Sequence, residues 1–447
     1  MAPRRRTVLA AVSTATASVM AGCSNPLAEE TNNDDDGSST PTDVTTALID
    51  DIANENFERA SKRFAKLERS RRGDPARLER LWMGYTAVSG SFEEIANSKK
   101  KTESGHEVVD LTLSFDRGDH DFRAVVDGKS RLIGCGIVDD YARPSYVKPN
   151  AIAEQDVTLS VADCSLPGTV ATPTDDSGDV PGVVLVHDAG AGTRNNDRGG
   201  TRAFKDLAAG LTSKGVATLR YDKRIPTCEV EPGSYTLDRV TVDDALVAVE
   251  RLRTVDGVDS DRIVVVGHGL GGRAAPRIAA RDGNLAGLVG LAAPARPYHD
   301  LTLEQLEHKV SVGSLKWDDL ASVYDQWTNQ IDRVRSGDYE PTATLLGKPG
   351  AFWDSLAAYD HLETAAGLDA PAYFLQGERD FQVTAADDLE RWRSELEGGS
   401  KTAFDTYSGL NHLFMPGEGP SVEFAYAVQN NVAEGVVDDL AGWITDL

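Results

Sequence analysis

Lysine is scarce in this 447-residue chain, and basic residues of both kinds are outnumbered 46 to 71 by acidic ones. The net charge of −25 argues against a nucleic-acid surface, because holding a polyphosphate requires a positive field. The acidity runs along the whole chain. Such a chain repels itself in ordinary salt, whereas at molar salt the Debye length falls to about 3 Å and the repulsion is screened. Adaptation to high salt is therefore expected, with an ordinary acidic secreted protein as the alternative. Cysteine is scarce too: there are four, Cys23, Cys135, Cys164 and Cys228. None stands in a C-x-x-C or Cys/His cluster, so neither a zinc site nor a disulfide framework is indicated, and no metal or cofactor is expected. Cys135, Cys164 and Cys228 read as small core residues. Long apolar runs are missing as well, since nothing after the N-terminal segment approaches the roughly 20 residues that a membrane-spanning helix needs.

What is present begins with Arg4-Arg5-Arg6-Thr7-Val8-Leu9, a weakly apolar run to Met20, and then Met20-Ala21-Gly22-Cys23. This resembles a twin-arginine export signal closed by a lipoprotein box, with cleavage before Cys23 and lipid attachment to it. Residues 1–23 are read as that segment, and residues 24–42, polar and acidic, as a flexible linker. The resemblance implies a protein held at the extracellular face of the cell membrane by a lipid anchor only.

Residues 43–141 read as a small domain in which helices precede strands. Leu48, Ile49, Ile52, Phe57, Phe64 and Leu67 recur at helical spacing, and a second helix follows Pro75 with Leu78, Leu81 and Trp82. Val109, Leu111, Leu113 and Phe115 then alternate as in a half-buried strand, and a strand pair turning at Asp127-Gly128 ends near Cys135 to Val138. The pattern is similar to the α+β cone of the nuclear-transport-factor fold, and a spacer or interaction module is the expectation. Residues 147–447 alternate strands and helices as a doubly wound, mostly parallel α/β sheet does. Val183-Val184-Leu185-Val186 reads as a strand buried on both faces. A polar, tryptophan-bearing stretch at about 299–366 has helical periodicity and interrupts this pattern.

The chain is organised around Val264-Val265-Val266-Gly267-His268-Gly269-Leu270-Gly271-Gly272, a buried strand that turns through glycines into a helix. It resembles the nucleophile elbow, G-x-S-x-G, of the α/β-hydrolases, in which a sharp turn lifts a serine above the sheet. The frame is intact at Gly267 and Gly271, but Gly269 stands where the serine belongs. Arg220-Tyr221-Asp222-Lys223-Arg224, Leu375-Gln376-Gly377-Glu378-Arg379-Asp380 and Gly409-Leu410-Asn411-His412 resemble the dienelactone-hydrolase-like and acyl-esterase branch of that family, and residues 299–366 fall where the fold carries its lid. The resemblance implies hydrolysis of carboxylic esters through a serine acyl-enzyme. It assigns the acid to Asp380 and the base to His412, and the backbone N–H groups of Leu270 and Ala189 to the oxyanion. Asp380 has a structural reading as well, as a turn residue or as the cap of a helix starting near Thr384.

Two departures follow. Glycine cannot form an acyl-enzyme, and His268, next to the apex, is expected to point elsewhere. The loop that usually reads His-Gly here reads His187-Asp188-Ala189-Gly190, which brings a carboxylate toward the place where negative charge must develop. Three readings stay open. One is a silent or weak esterase retained as a pocket for a small ester, acid or lipid-like ligand. Another is a hydrolase in which His412 activates water. The third is an envelope interaction protein in which the hydrolase half is scaffold. Oligomeric state is not legible.

Overall fold

The computed structural model describes residues 39–447 except 163, 176–177, 191, 314–316 and 398–400, and the side chains of 317–319. The export signal, Cys23 and most of the acidic linker lie outside the described residues.

The N-terminal domain opens with α1 (Pro41–Ala53), started by a capping box in which the Thr40 side chain and the Asp43 carboxylate each satisfy the other's backbone N–H. Its buried face carries Leu48, Ile49 and Ile52. The helical spacing does not continue as one helix. The chain turns at Asn54 to Asn56, with Glu55 at φ +59°, before α2 (Phe57–Lys62), and Leu67 is 70% exposed rather than core. Helix α3 (Pro75–Ser89) is capped by the Asp74 carboxylate, which accepts from Arg77 N–H. Four strands follow as an antiparallel meander: β1 (Phe92–Glu103), β2 (His106–Phe115), β3 (Gly118–Val126) and β4 (Leu132–Ile137). Alternate residues Val109, Leu111 and Leu113 face the helices and pack against Leu78, Leu81 and Tyr85. Strand β1 has no apolar alternation. Its Lys99-Lys100-Lys101 run is held by the ladder to β2 and by cross-strand charge pairs such as Lys101 Nζ to Asp110 Oδ2 at 3.5 Å.

The C-terminal domain is built on an eight-stranded sheet. Its strands are β5 (Ile152–Val161), β6 (Cys164–Pro173), β7 (Val180–Val186), β8 (Ala217–Tyr221), β9 (Val258–His268), β10 (Gly287–Leu291), β11 (Ala372–Gly377) and β12 (Thr402–Tyr407). In space they run β12-β11-β10-β9-β7-β8-β6-β5, parallel throughout except for β5 and β6, an antiparallel edge. Alternation along β7 and β9 divides their side chains between two cores. Val184, Val186 and Val265 pack with α5 (Asp243–Arg253) and α6 (Leu270–Asp282), and Val183, Leu185 and Val266 pack with α4 (Ala203–Thr212) and α11 (Glu434–Thr445). Between β10 and β11 four helices cover one end of the sheet: α7 (Asp300–Val312), α8 (Trp317–Ser336), α9 (Gly350–Ala357) and α10 (His361–Ala366). No described helix is long and apolar enough to cross a membrane.

Two cysteines behave differently from the expectation of small core residues. Cys164, at the start of β6, and Cys228, in the loop after β8, form a disulfide across 64 residues with their Cα atoms 6.2 Å apart, while Cys135 is free and partly buried. A pairing of this kind is made by the folded edge of the sheet, so no local spacing announces it. The two domains meet where α3 packs on residues 418–428. Glu418 N–H donates to the Ala87 carbonyl at 2.8 Å, Arg80 pairs with Glu423 at 3.1 Å, and Val428 is part of the N-terminal core.

Candidate active site

At the carboxyl end of β9 the chain reverses through Gly269, at φ +53° and ψ −119°, directly into α6. The frame glycines are required by close backbone approach. A Cβ at Gly271 would stand 2.7 Å from the His187 carbonyl oxygen, and one at Gly267 would stand 2.5 Å from the Gly272 nitrogen. At Gly269 the obstacle is a side chain. A Cβ there would run into the carboxylate of Asp188 and lie 2.9 Å from its Cβ. Asp188 therefore fills the space that a side chain at the apex of the elbow would need.

Asp188 is fixed there from both sides. Preceding it, His187 is buried, donates Nε2–H to the Tyr221 carbonyl at 2.7 Å and lies 4.7 Å from the Phe204 ring. The Lys223 ammonium donates to the Asp188 backbone carbonyl. The carboxylate then turns to the elbow, where Oδ1 accepts the Leu270 N–H at 2.7 Å. That N–H is the donor the resemblance assigns to the oxyanion, so Asp188 takes up this donor as well as the space over Gly269. Ala189 forms part of the wall of the adjoining cleft.

Asp380 and His412 come together opposite. The Asp380 carboxylate, buried after β11, receives His412 Nδ1–H on Oδ2 at 2.7 Å and Gln376 Nε2–H on the same oxygen at 2.9 Å. Its Oδ1 accepts the N–H groups of Gln382 at 2.7 Å and Val383 at 3.1 Å, so Asp380 holds its turn together while it orients the histidine. The next helical turn is capped by Thr384, not by Asp380. The loop bearing His412 is folded by Asn411 Oδ1, which accepts from Leu413 N–H at 2.9 Å and Met415 N–H at 3.2 Å. His412 Nε2 lies 3.6 Å from Asp188 Oδ2. Burial alone lowers the His412 pKa, but the facing Asp380 and Asp188 carboxylates raise it more, to about 10. In the same pair burial raises Asp188, and the His412 imidazolium outweighs it and holds the carboxyl well below the usual carboxylate range.

His268 corrects a sequence expectation. It does not turn away from the site: its ring centroid is 4.5 Å from that of His412, and its Nε2–H donates to the His412 carbonyl at 2.8 Å. As the last residue of β9 it alternates onto the face crossed by the His412 loop. Burial, then the neighbouring His412 charge, lowers its pKa to about 4, so it is neutral, and its Nδ1 is buried without a hydrogen-bond partner among the described residues.

Asp188, Gly269 and His412 form the floor of a cleft of about 190 Å³ whose walls include Tyr298, just before α7, and Leu301 and Gln305 on α7, together with Arg198 and Val383. Tyr298 and Leu301 supply apolar surface and Arg198 a cation. The cleft is sized for a small molecule, and α7 is seated over it by His308, whose ring stacks on Phe381 at 4.4 Å and bonds to the Ser421 carbonyl at 2.8 Å. A Ser-His-Asp chain, invisible in the sequence, lies in the N-terminal domain: Ser89 Oγ to His120 Nε2 at 2.5 Å and His120 Nδ1 to Asp139 Oδ2 at 2.6 Å. It is buried, Ser89 being 1% exposed, and Asp139 also receives Gln429 N–H at 2.7 Å, so this chain ties the two domains together.

Residues 183–426 match the model of the alpha/beta hydrolase family. The chain is 32% identical over 401 residues to Esterase EstD of Thermotoga maritima, an alignment that takes in 89% of this chain and 93% of that one and so extends into the N-terminal domain. Among solved structures it is similar to Est1E from Butyrivibrio proteoclasticus, at 14% identity over 65% of this chain and 98% of that one, with a TM-score of 0.43. It is also similar to an acylaminoacyl peptidase of Pyrococcus horikoshii, at 13% identity over 72% of this chain and 47% of that one, with a TM-score of 0.44.

Proposed function

Because the chain belongs to the alpha/beta hydrolase family, we propose that it is an esterase scaffold whose serine route has been closed, and that its cleft holds a small ester or carboxylic acid without forming an acyl-enzyme. One observation carries this reading: the Asp188 carboxylate stands in the nucleophile's space over Gly269 and takes the Leu270 N–H. A serine esterase needs that space for Oγ and that N–H for the developing oxyanion. A carboxylate there supplies negative charge where the transition state would add more. The route through His412-activated water meets the same obstacle, and a histidine flanked by two carboxylates keeps its proton instead of taking one. What survives is a small, partly apolar cleft with Arg198 on its wall, suited to an acyl chain with one polar end.

The test is hydrolysis of p-nitrophenyl acetate and butyrate in high salt by the parent and by His412→Ala, alongside thermal melts with butyrate and ethyl butyrate. Equal background rates in the two proteins, with a melting point raised by one of the ligands, are expected. Turnover that depends on His412 would overturn the reading.

A further inference from the structure

Three side chains converge beneath the cleft from three separate segments, the end of β9 and the two loops that carry Asp188 and His412. Asp188, His268 and His412 each bring one ligating atom to within 4.8 Å of the other two, and Asp188 Oδ2 to His412 Nε2 is 3.6 Å. His268 Nδ1 is buried without a hydrogen-bond partner among the described residues, and His412 Nε2 faces Asp188 Oδ2 beyond hydrogen-bond reach, so an ion between them would satisfy both nitrogens and replace the proton that His412 otherwise keeps.

We propose that Asp188, His268 and His412 form a mononuclear site for a divalent first-row transition ion of the zinc class, set at the floor of the cleft.

The arrangement of the remaining atoms supports this. Each imidazole commits its other nitrogen to an acceptor, His412 Nδ1–H to the Asp380 carboxylate at 2.7 Å and His268 Nε2–H to the His412 carbonyl at 2.8 Å. Metal-binding histidines are oriented in this manner, with the second ring nitrogen donating to a carboxylate or a carbonyl so that the bare one is aimed at the ion. Two imidazoles and one carboxylate select a borderline transition ion over Mg²⁺ or Ca²⁺, which prefer all-oxygen shells. A tetrahedral ion with bonds of about 2.0–2.1 Å spaces its ligand atoms by about 3.3 Å. The Asp188–His412 separation already approaches that spacing, and the third ligand must draw in by at most about 1.5 Å. Gly269 is part of the design, since any side chain there would push Asp188 out of the set.

Three protein ligands leave the side toward the cleft open for an oxygen ligand. This also answers an electrostatic difficulty. Without an ion, Asp188 repels the carboxylate or polarised carbonyl of a bound ligand. With one, the floor of the cleft becomes its strongest cation and Arg198 a supporting one. The site goes beyond the pocket reading and does not depend on it, because it is judged by metal content and not by turnover.

The experiment uses untagged full-length protein stripped with chelator and titrated with Co²⁺ in high salt. It is followed by visible d–d absorption, by displacement with Zn²⁺ and by elemental analysis, with circular-dichroism melts to confirm folding. One Co²⁺ per chain, displaced by Zn²⁺, is expected. His268→Gln and Asp188→Asn should each weaken binding by at least about 100-fold, and Asp380→Asn, which removes only the orienting carboxylate, by about 10–100-fold. Failure of the stripped parent to bind stoichiometric Co²⁺ overturns the proposal, and so does undiminished binding by either first variant in folded form.

Discussion

Restoring the serine alone should not restore an esterase, and the reason can be worked from the elbow. In Gly269→Ser the new Cβ meets the Asp188 carboxylate, so one of the two must move, at a cost of about 1–3 kcal/mol for a well-packed site. Where the carboxylate keeps its place the Leu270 N–H stays occupied as well, and loss of a single oxyanion donor is worth about 10²–10³ in rate. Asp188→Gly alone clears the space but supplies no nucleophile. Only Gly269→Ser/Asp188→Gly provides Oγ, a free donor and an undisturbed His412–Asp380 pair. A working triad exceeds its crippled forms by several orders of magnitude, so the double variant should gain at least about 10³-fold in kcat/KM, about 4 kcal/mol of transition-state stabilisation. The assay is p-nitrophenyl butyrate hydrolysis in the presence of chelator, comparing the parent, both single variants, the double variant and the double variant with His412→Ala. The gain should be non-additive and should vanish with His412. A single Gly269→Ser as active as the double would show that Asp188 does not block the elbow. A folded but inert double would show that Asp380 and His412 are not a competent pair.

Other consequences concern stability and placement. Burial pushes the Asp206 carboxyl up to about 6, above the unfolded value, despite hydrogen bonds from Tyr141, Val432 and Asn431. The folded state therefore keeps a proton that the unfolded chain releases. This contribution is complete below about pH 4 and lost as pH rises through 6, so in denaturant titrations the stability gap between the parent and Asp206→Asn should shrink by up to about 3 kcal/mol from pH 4 to pH 7. A gap that does not change with pH would contradict it. The Cys164–Cys228 bridge closes a 64-residue loop, so reduction should cost about 4 kcal/mol, read as a lower unfolding midpoint in dithiothreitol that Cys228→Ala reproduces. If reductant leaves the midpoint in place, the bridge is not formed. Cys23→Ala should move the protein from the membrane fraction to the soluble exported fraction, and an unchanged distribution would remove the lipid anchor from the account.

The parts that were legible in the sequence are those dictated by local patterns. Unbroken apolar runs such as Val183 to Val186 can only be strands covered on both faces, and Gly267 and Gly271 mark a corner that tolerates no Cβ. The positions of Asp380 and His412 after strands match the pattern the resemblance implies, and the fold brings the two side chains to 2.7 Å. The rest depends on contacts between distant segments. The destination of the Asp188 side chain is set by an N–H that lies 82 residues further on, at Leu270. From its position beside the apex His268 is expected to point elsewhere, but its orientation depends on which loop crosses the end of β9. Strand β1 carries lysines where a strand usually carries apolar residues, and its pairing with β2 overrides that signal. Cys164 and Cys228 had no spacing that distinguished them from core residues.

The central claim is that no serine of this chain acts as an acyl-transfer nucleophile, and covalent labelling reads it directly. The parent, incubated with a fluorophosphonate in high salt and weighed intact, should show no adduct, while Gly269→Ser/Asp188→Gly should take up one equivalent at position 269. A stoichiometric adduct on any serine of the parent, Ser89 included, would contradict the account.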